Sequence, residues 1–246
     1  MPQIASDKRH FIIVGVLVVI TTAVMGFLLN AVLPLPEPSV TQASTVDNLF
    51  RLHMWLIAFL FALVVVFMVY SFVIFRRGKR QDDGEHFEGN TVLEIVWTAV
   101  PLVVVAIFSV IGVQTLASVT NAPGNELVVE VTGRQWSWSF DYPNGTSSPE
   151  LVVPVGQNLT MAMTAEDVIH SFWIPEWRVK QDLVPGLTTE VHFTPDRVGE
   201  FTLMCNQACG LSHTIMLAKV RVVTPEEYTA WLDTQLVQQG EQTASR

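Results

Sequence analysis

Hydrophobic and polar positions divide this chain into two unlike halves. In the first half, apolar residues run unbroken: Phe11–Leu33, Met54–Phe75 and Ile95–Ala117 each hold 22 or 23 residues without an Asp, Glu, Lys or Arg. At roughly 1.5 Å per residue, each run can cross a hydrocarbon core. The pattern predicts three transmembrane helices, at about 11–33, 54–75 and 93–117. After the third, "TNAPGN" reads as a polar linker and the period shortens. "ELVVEVTG", "RQWSWSFDY", "ELVVPVG", "QNLTMAMTA", "TTEVHFTP", "GEFTLM" and "IMLAKVRVV" are short apolar or alternating runs punctuated by Gly, Pro and Asn, the mark of strands and turns. About eight such strands predict an all-β sandwich or Greek-key barrel. "TPEEYTAWLDTQL" closes as a helix, with Thr224 as cap, Pro225 at the first helical position and Glu227 completing a capping box. The expected domains are a membrane anchor over 1–120, a β domain over 121–225, and a helix and tail over 226–246.

Composition agrees with this division. Half of the residues, 50%, are hydrophobic and the mean hydropathy is +0.38, between a soluble domain and an all-membrane chain. Charge then orients the helices. Lys8 and Arg9 precede the first run, the loop 34–53 contains only Arg51, and Arg76, Arg77, Lys79 and Arg80 follow the second run. By the positive-inside rule the N-terminus and the 76–90 loop are cytoplasmic, and three crossings put everything after residue 117 outside. "DKRH" also fits the basic start of a signal peptide. The run after it is longer than a usual signal core and no A-x-A site follows, which favours an uncleaved helix. Residues 118–246 hold 7 Lys or Arg and 15 Asp or Glu, which is −8 of the chain's −9. Such acidity favours steering of a basic partner and also keeps a domain soluble. The sequence contains no internal repeat, nucleotide-binding loop or nucleic-acid patch.

The chemistry concentrates in "CNQACGLSHTIM", residues 205–216, which holds both cysteines of the chain. Cys205, Cys209, His213 and Met216 fall on a loop between two expected strands, where Gly210 permits a tight bend. His170, in "DVIHSF", sits where another strand would reach the same end. An external cysteine pair suits a disulfide, but a disulfide needs no His or Met at fixed offsets. Zinc favours closely paired Cys and His, and a thioether serves it poorly. Thiolate, imidazole and thioether together favour copper. A single-copper site uses one cysteine, whereas two coppers bridged by two thiolates use every donor. With one Cu(I) and one Cu(II), that core carries a single positive charge and becomes neutral on reduction, which limits the cost of burying it. The donor set points to one-electron transfer.

"DVIHSFWIP", "VKQDLVPG" and "CNQACGLSHTIM", with "EIVWTAVP" opening the third helix and "GRQWSWSFDY" just after the membrane, resemble cytochrome c oxidase subunit II. The likeness covers roughly residues 50–235. It implies that the three expected membrane helices are followed by a cupredoxin fold, an all-β Greek-key barrel, that carries the binuclear copper centre CuA. Carried over, Cys205 and Cys209 bridge both coppers, His170 and His213 each bind one, and Met216 and the main-chain carbonyl of Gln207 are weaker ligands. The family's commoner Glu at the position of Gln207 also reaches a magnesium ion shared with subunit I. A neutral Gln is a poorer Mg²⁺ ligand, which counts against that site here and is more like the B-type oxidases. Trp136 matches the exposed tryptophan that receives electrons from cytochrome c, with Ser137 in place of the family's aromatic, and Trp138 is expected in the core. Asp167 and Asp182 match acidic positions near the donor-docking face. Glu94 matches a glutamate at the mouth of a proton-uptake channel. His10, His53, His86 and His192 are read as non-ligands. The common family pattern has two membrane helices, so the first helix here is additional.

The resemblance implies an electron-input subunit of a terminal haem–copper oxidase in a bacterial or archaeal plasma membrane. It would accept single electrons from cytochrome c, or a small copper protein, and pass them to haem in subunit I for O2 reduction. The expected partners are subunit I, other oxidase subunits and membrane lipid, with no nucleic acid. The CuA subunit of a nitric oxide reductase would use the same domain and stays open. Nitrous oxide reductase shares the copper motif without the helices, and a quinol oxidase subunit lacks the copper ligands. A membrane-tethered copper chaperone also uses a C-x3-C pair with a distant His, but it would show a thioredoxin-like βαβ pattern and has no need of Met216.

Overall fold

The computed structural model describes residues 2–76, 88–122 and 124–244. Arg77, Lys79, Arg80 and His86, which enter the charge argument and the histidine reading above, lie outside the described residues. The chain divides into two compact units, one of residues 1–35 and 48–112, the other of 36–47 and 113–246.

The first unit is helical. Helix α1 spans Pro2–Val32, α2 Thr41–Ile74 and α3 Thr91–Thr120, and all three are long and apolar enough to cross a membrane. α1 stops where Pro34, Pro36 and Pro38 remove successive backbone donors. Asn90 starts α3 by accepting the Leu93 N–H at its Oδ1, 3.1 Å away, a side-chain N-cap. α2 begins well before the apolar run at Met54, because Thr41–Arg51 is polar but helix-compatible and hydropathy alone does not see it. At about 1.5 Å per residue its 34 residues exceed what a bilayer needs. α1 and α2 meet through Val14, Val18, Ala62 and Val66. His53 sets its ring edge-on to Phe108 of α3, with centroids 4.5 Å apart. Most other apolar side chains of the three helices face outward, as hydrocarbon permits.

The second unit is a β domain. Its strands are β1 Leu127–Arg134, β2 Ser137–Asp141, β3 Ser147–Ser148, β4 Leu151–Pro154, β5 Leu159–Ala165, β6 His170–Trp173, β7 Lys180–Leu183, β8 Thr189–Phe193, β9 Gly199–Cys205 and β10 Leu217–Val223, closed by α4, Pro225–Ala244. They form two five-stranded sheets, β3-β2-β1-β5-β8 and β4-β10-β9-β6-β7. Among the described strands the sheets stay open, with an isolated bridge between Ala165 and Pro185 at one corner. Period-two alternation aims Val129 and Val131 of β1, Met161 and Met163 of β5, and Val191 and Phe193 of β8 at Phe172, Leu203, Val220 and Val222 of the facing sheet. Burying each such side chain contributes roughly 1.5–3 kcal/mol. β7, "KQDL", is polar and has no apolar pattern. It forms because β6 offers it a ladder, and its charges suit the sheet edge it occupies. Thr224 and Glu227 exchange hydrogen bonds of 3.0 and 3.2 Å, the expected capping box of α4.

Residues 36–47 pack with this β domain. Val40 bridges to Pro195, and Arg178 donates to both carboxylate oxygens of Asp47, at 2.6 and 3.0 Å. Arg178 also donates to the carbonyls of Pro175 and Pro36. Both charged side chains are nearly buried, at 7% and 10% exposure.

Candidate metal centre

The ends of three strands make the site. β9 ends at Cys205 and is antiparallel to β10, with Leu217 opposite Met204, so residues 206–216 close a loop between adjacent strands. β6 pairs on the other side of β9, Phe172 facing Cys205, which brings His170 to the same end. The loop is fastened at its base by the Cys205 N–H donating to the Met216 carbonyl, 3.1 Å. Within it, the His213 N–H donates to Gly210 O at 3.2 Å, and a 3-10 turn runs from His213 to Ile215.

This folding brings together all six side chains or carbonyls singled out in the sequence. Cys205 Sγ lies 3.7 Å from Cys209 Sγ, 3.9 Å from His170 Nδ1 and 3.3 Å from the Gln207 carbonyl. Cys209 Sγ lies 3.6 Å from His213 Nδ1 and 3.8 Å from Met216 Sδ. The sulfurs are far beyond the about 2.05 Å of a disulfide, and both cysteines are free and buried. Among the described residues, His170, Cys205 and Cys209 satisfy the spacing of a metal-binding group. The donors are soft sulfur and borderline imidazole, a set that fits copper better than the oxygen-seeking cations. Burial, then the neighbouring Cys205 thiol, pushes the Cys209 thiol up to about 11, so a metal ion must displace protons to bind.

A surrounding layer holds these donors in place. Asp167 Oδ1 accepts from His170 Nε2 at 2.8 Å and from the Val168 N–H at 2.7 Å, while Oδ2 accepts the Gln135 N–H at 2.7 Å. Burial raises the Asp167 carboxyl, but the two backbone donors and His170 outweigh it and bring it down to about 2. With the carboxylate at Nε2, the proton of a neutral imidazole stays there and the Nδ1 lone pair faces Cys205. Gln135 Nε2 donates to the Cys209 carbonyl at 2.7 Å. Trp138 is buried, as expected of a core residue, and its Nε1 donates to the Met216 carbonyl at 3.4 Å. Gly133 does not interrupt β1; a Cβ there would come 3.3 Å from His170 Cγ, so its bareness makes room for the imidazole.

Trp136 is 38% exposed, and its ring lies against Gly210, the residue after Cys209. Gly210 has φ +123, and a Cβ on it would sit 3.3 Å from Trp136 Cζ2. Leu211 and Ile215 project from the loop at 94% and 72% exposure, an apolar rim beside the buried donors. Asp182 lies on β7 opposite Ser171, half-buried, and is not among the clustered side chains. Glu94 belongs to the first turn of α3 in the helical unit. His192, read as a plain strand residue, is held by Glu126 Oε1 at 3.1 Å and Thr160 Oγ1 at 3.0 Å. Gln135 and the His170-orienting role of Asp167 were missed in the sequence; only the Asp167–His170 spacing of three hinted at the second.

The chain matches two family models. One, described as cytochrome c oxidase subunit II, transmembrane domain, matches residues 29–114. The other, cytochrome c oxidase subunit II, periplasmic domain, matches residues 146–223. Cytochrome c oxidase subunit 2 of Thermostichus vulcanus is 33% identical, covering 80% of this chain and 77% of that one. The subunit 2 of Cereibacter sphaeroides is 30% identical, covering 81% and 78%. The crystal structure of the periplasmic domain of subunit II of cytochrome oxidase from Bradyrhizobium japonicum aligns at 31% identity over 48% of this chain and 99% of that one, with a TM-score of 0.46.

Proposed function

The chain belongs to the cytochrome c oxidase subunit II family, which makes it a subunit of a haem–copper oxidase, and from that premise we propose that it is the electron-input subunit. The observation that carries the proposal is the pair of free, buried thiols 3.7 Å apart, flanked by two imidazoles, a thioether and a carbonyl. In this reading Cys205, Cys209, His170, His213, Met216 and the carbonyl of Gln207 hold a binuclear copper centre, CuA. When bound, such a centre supplies one-electron transfer. The two open sheets are then read as a cupredoxin Greek-key barrel.

The chain's own residues prepare that role. Asp167 fixes the His170 ring, Gln135 and Trp138 tie down the loop through its carbonyls, and the core excludes water from both thiols. Ligands held in this way around two buried thiols need little rearrangement when their charge changes by one. Trp136 gives the donor a surface one residue removed from Cys209. The apolar rim of Leu211 and Ile215 supports docking of a protein partner, and the acidity of 118–246 supports steering of a basic one. That donor would be cytochrome c or a small copper protein, and the acceptor haem in subunit I. Asp182 at the docking face, Glu94 at a proton-channel mouth, and an outward-facing β domain with a cytoplasmic N-terminus complete the reading. The proposed domains run 1–120, 121–225 and 226–246.

Electron paramagnetic resonance on the copper-loaded full chain tests it. The expected spectrum shows hyperfine splitting from two equivalent copper nuclei, and Cys209→Ser should abolish that pattern. A single-copper spectrum from the parent chain, unchanged by Cys209→Ser and Met216→Leu, would overturn the CuA assignment.

A further inference from the structure

The seam between α1 and α2 carries a feature that electron transfer does not use. The helices pack closely through Val14, Val18, Ala62 and Val66, yet beside that contact they part around a groove of about 440 Å³. Phe11, Val14, Phe67 and Phe75 wall the groove, and His10 and Tyr70 add its polar groups, with Nδ1 and Oη 2.6 Å apart. The His10 ring is 5.4 Å from Phe75. A second groove of about 360 Å³, lined by aliphatic residues such as Leu17, Val69 and Val73, shares Tyr70. Three exposed cations are next in sequence to groove-lining residues: Lys8 and Arg9 precede His10, and Arg76 follows Phe75.

An interhelical hydrogen bond alone requires no groove, and close packing would be the cheaper arrangement between helices in lipid. The volume lies in the about 300–1,000 Å³ range of small-molecule sites. Aromatic walls suit hydrocarbon, the His10 and Tyr70 groups suit a phosphate or ester oxygen, and the cations call for negative charge. A partner helix would fill the apolar part but leave the cations unmatched, and a zwitterionic lipid would do the same. We infer that the groove between α1 and α2 binds an anionic phospholipid, with its phosphate near His10 and Tyr70, flanked by Arg9 and Arg76, and an acyl chain along Phe11, Val14 and Phe67. Basic pockets between transmembrane helices recognise headgroups in this way.

Native mass spectrometry of the detergent-purified full chain, titrated with phosphatidylglycerol and with phosphatidylcholine of matched acyl chains, tests the site. The parent should retain phosphatidylglycerol preferentially. The double variant Arg9→Gln/Arg76→Gln should lose about fivefold in phosphatidylglycerol affinity per charge removed and none for phosphatidylcholine. Tyr70→Phe, which keeps the ring and the helix packing, should weaken phosphatidylglycerol by about tenfold through the lost hydrogen bond. Helical circular dichroism of each variant confirms its fold. Equal retention of the two lipids by the parent, or an unchanged preference in both variants, would refute the site. So would phosphatidylglycerol binding to the isolated chain that vanishes in the assembled oxidase, since a partner subunit would then occupy the groove.

Discussion

Replacing Gly210 by alanine adds one methyl group where the metal loop and its tryptophan touch. The new Cβ would lie 2.9 Å from Gln135 Nε2, 3.3 Å from Trp136 Cζ2 and 3.4 Å from Trp136 Nε1. Gln135 must then give up its 2.7 Å bond to the Cys209 carbonyl, costing about 1 kcal/mol. The backbone at φ +123 is a conformation that costs a non-glycine residue about 1–3 kcal/mol. Reduced freedom of the unfolded chain returns only about 0.5 kcal/mol. The net destabilisation is about 1.5–3.5 kcal/mol, measured on the copper-free full chain by denaturant titration with near-ultraviolet circular dichroism. Gly186→Ala is the internal control: its φ is +75 but nothing lies within 4 Å, so it should show the backbone cost alone. On the loaded chain, Gly210→Ala should slow electron uptake from the donor because the new methyl displaces the indole from the loop, and Trp136→Ala should do so by removing the indole. Equal stability losses at Gly210 and Gly186, with donor oxidation as fast as in the parent, would mean that the contact between Trp136 and Gly210 has no functional weight.

Asp167→Ala should weaken copper binding by about 10–100-fold, the usual effect of removing a ligand's orienting partner; a chelator competition assay that shows parental affinity refutes the role given to this carboxylate. Asp47→Ala strands Arg178 without its buried counter-charge and should cost about 3–5 kcal/mol, with a denaturation midpoint within error of the parent as the contrary result. Alkaline pH reports on the aromatic cluster under α4. Burial raises the Tyr228 phenol from 10.0 to about 12 and pushes Tyr142 higher still. A raised folded-state value means that the neutral phenol is favoured in the fold, so its contribution is full below pH 10 and is lost as pH rises towards 12. Tyr228→Phe should flatten that decline in denaturation curves taken across this range, and an identical decline in the variant refutes the linkage.

Much of the architecture was legible because its signals are local. Unbroken apolar runs need no partner to declare a membrane helix, since the solvent there is lipid. The α4 capping box is written within four residues and was found as expected. The start of α2 was not, because Thr41–Asp47 belongs with the β domain, which buries Ala43 and Asp47 beside Val40. Strand β7 was missed for the same kind of reason: "KQDL" has no pattern of its own and takes its form from β6. Gly133, the last residue of the run "ELVVEVTG", lies inside β1 and leaves clearance for His170 across the domain.

The site divides along the same line. Cys205, Cys209, His213 and Met216 lie within twelve residues, so donor chemistry and spacing made them candidates from the sequence by itself. What joined His170 to them is the β6–β9 ladder, which spans 35 residues of chain. Only the tertiary structure turned Asp167 from an acidic surface position into the partner of His170. Only it placed Gln135 on the Cys209 carbonyl and the Trp136 ring on Gly210. Sequence carries which donors are available and the periodicity that folds them. It does not carry the orientation of a donor, because a hydrogen bond across 74 residues leaves no mark at either end until the sheets bring the two together.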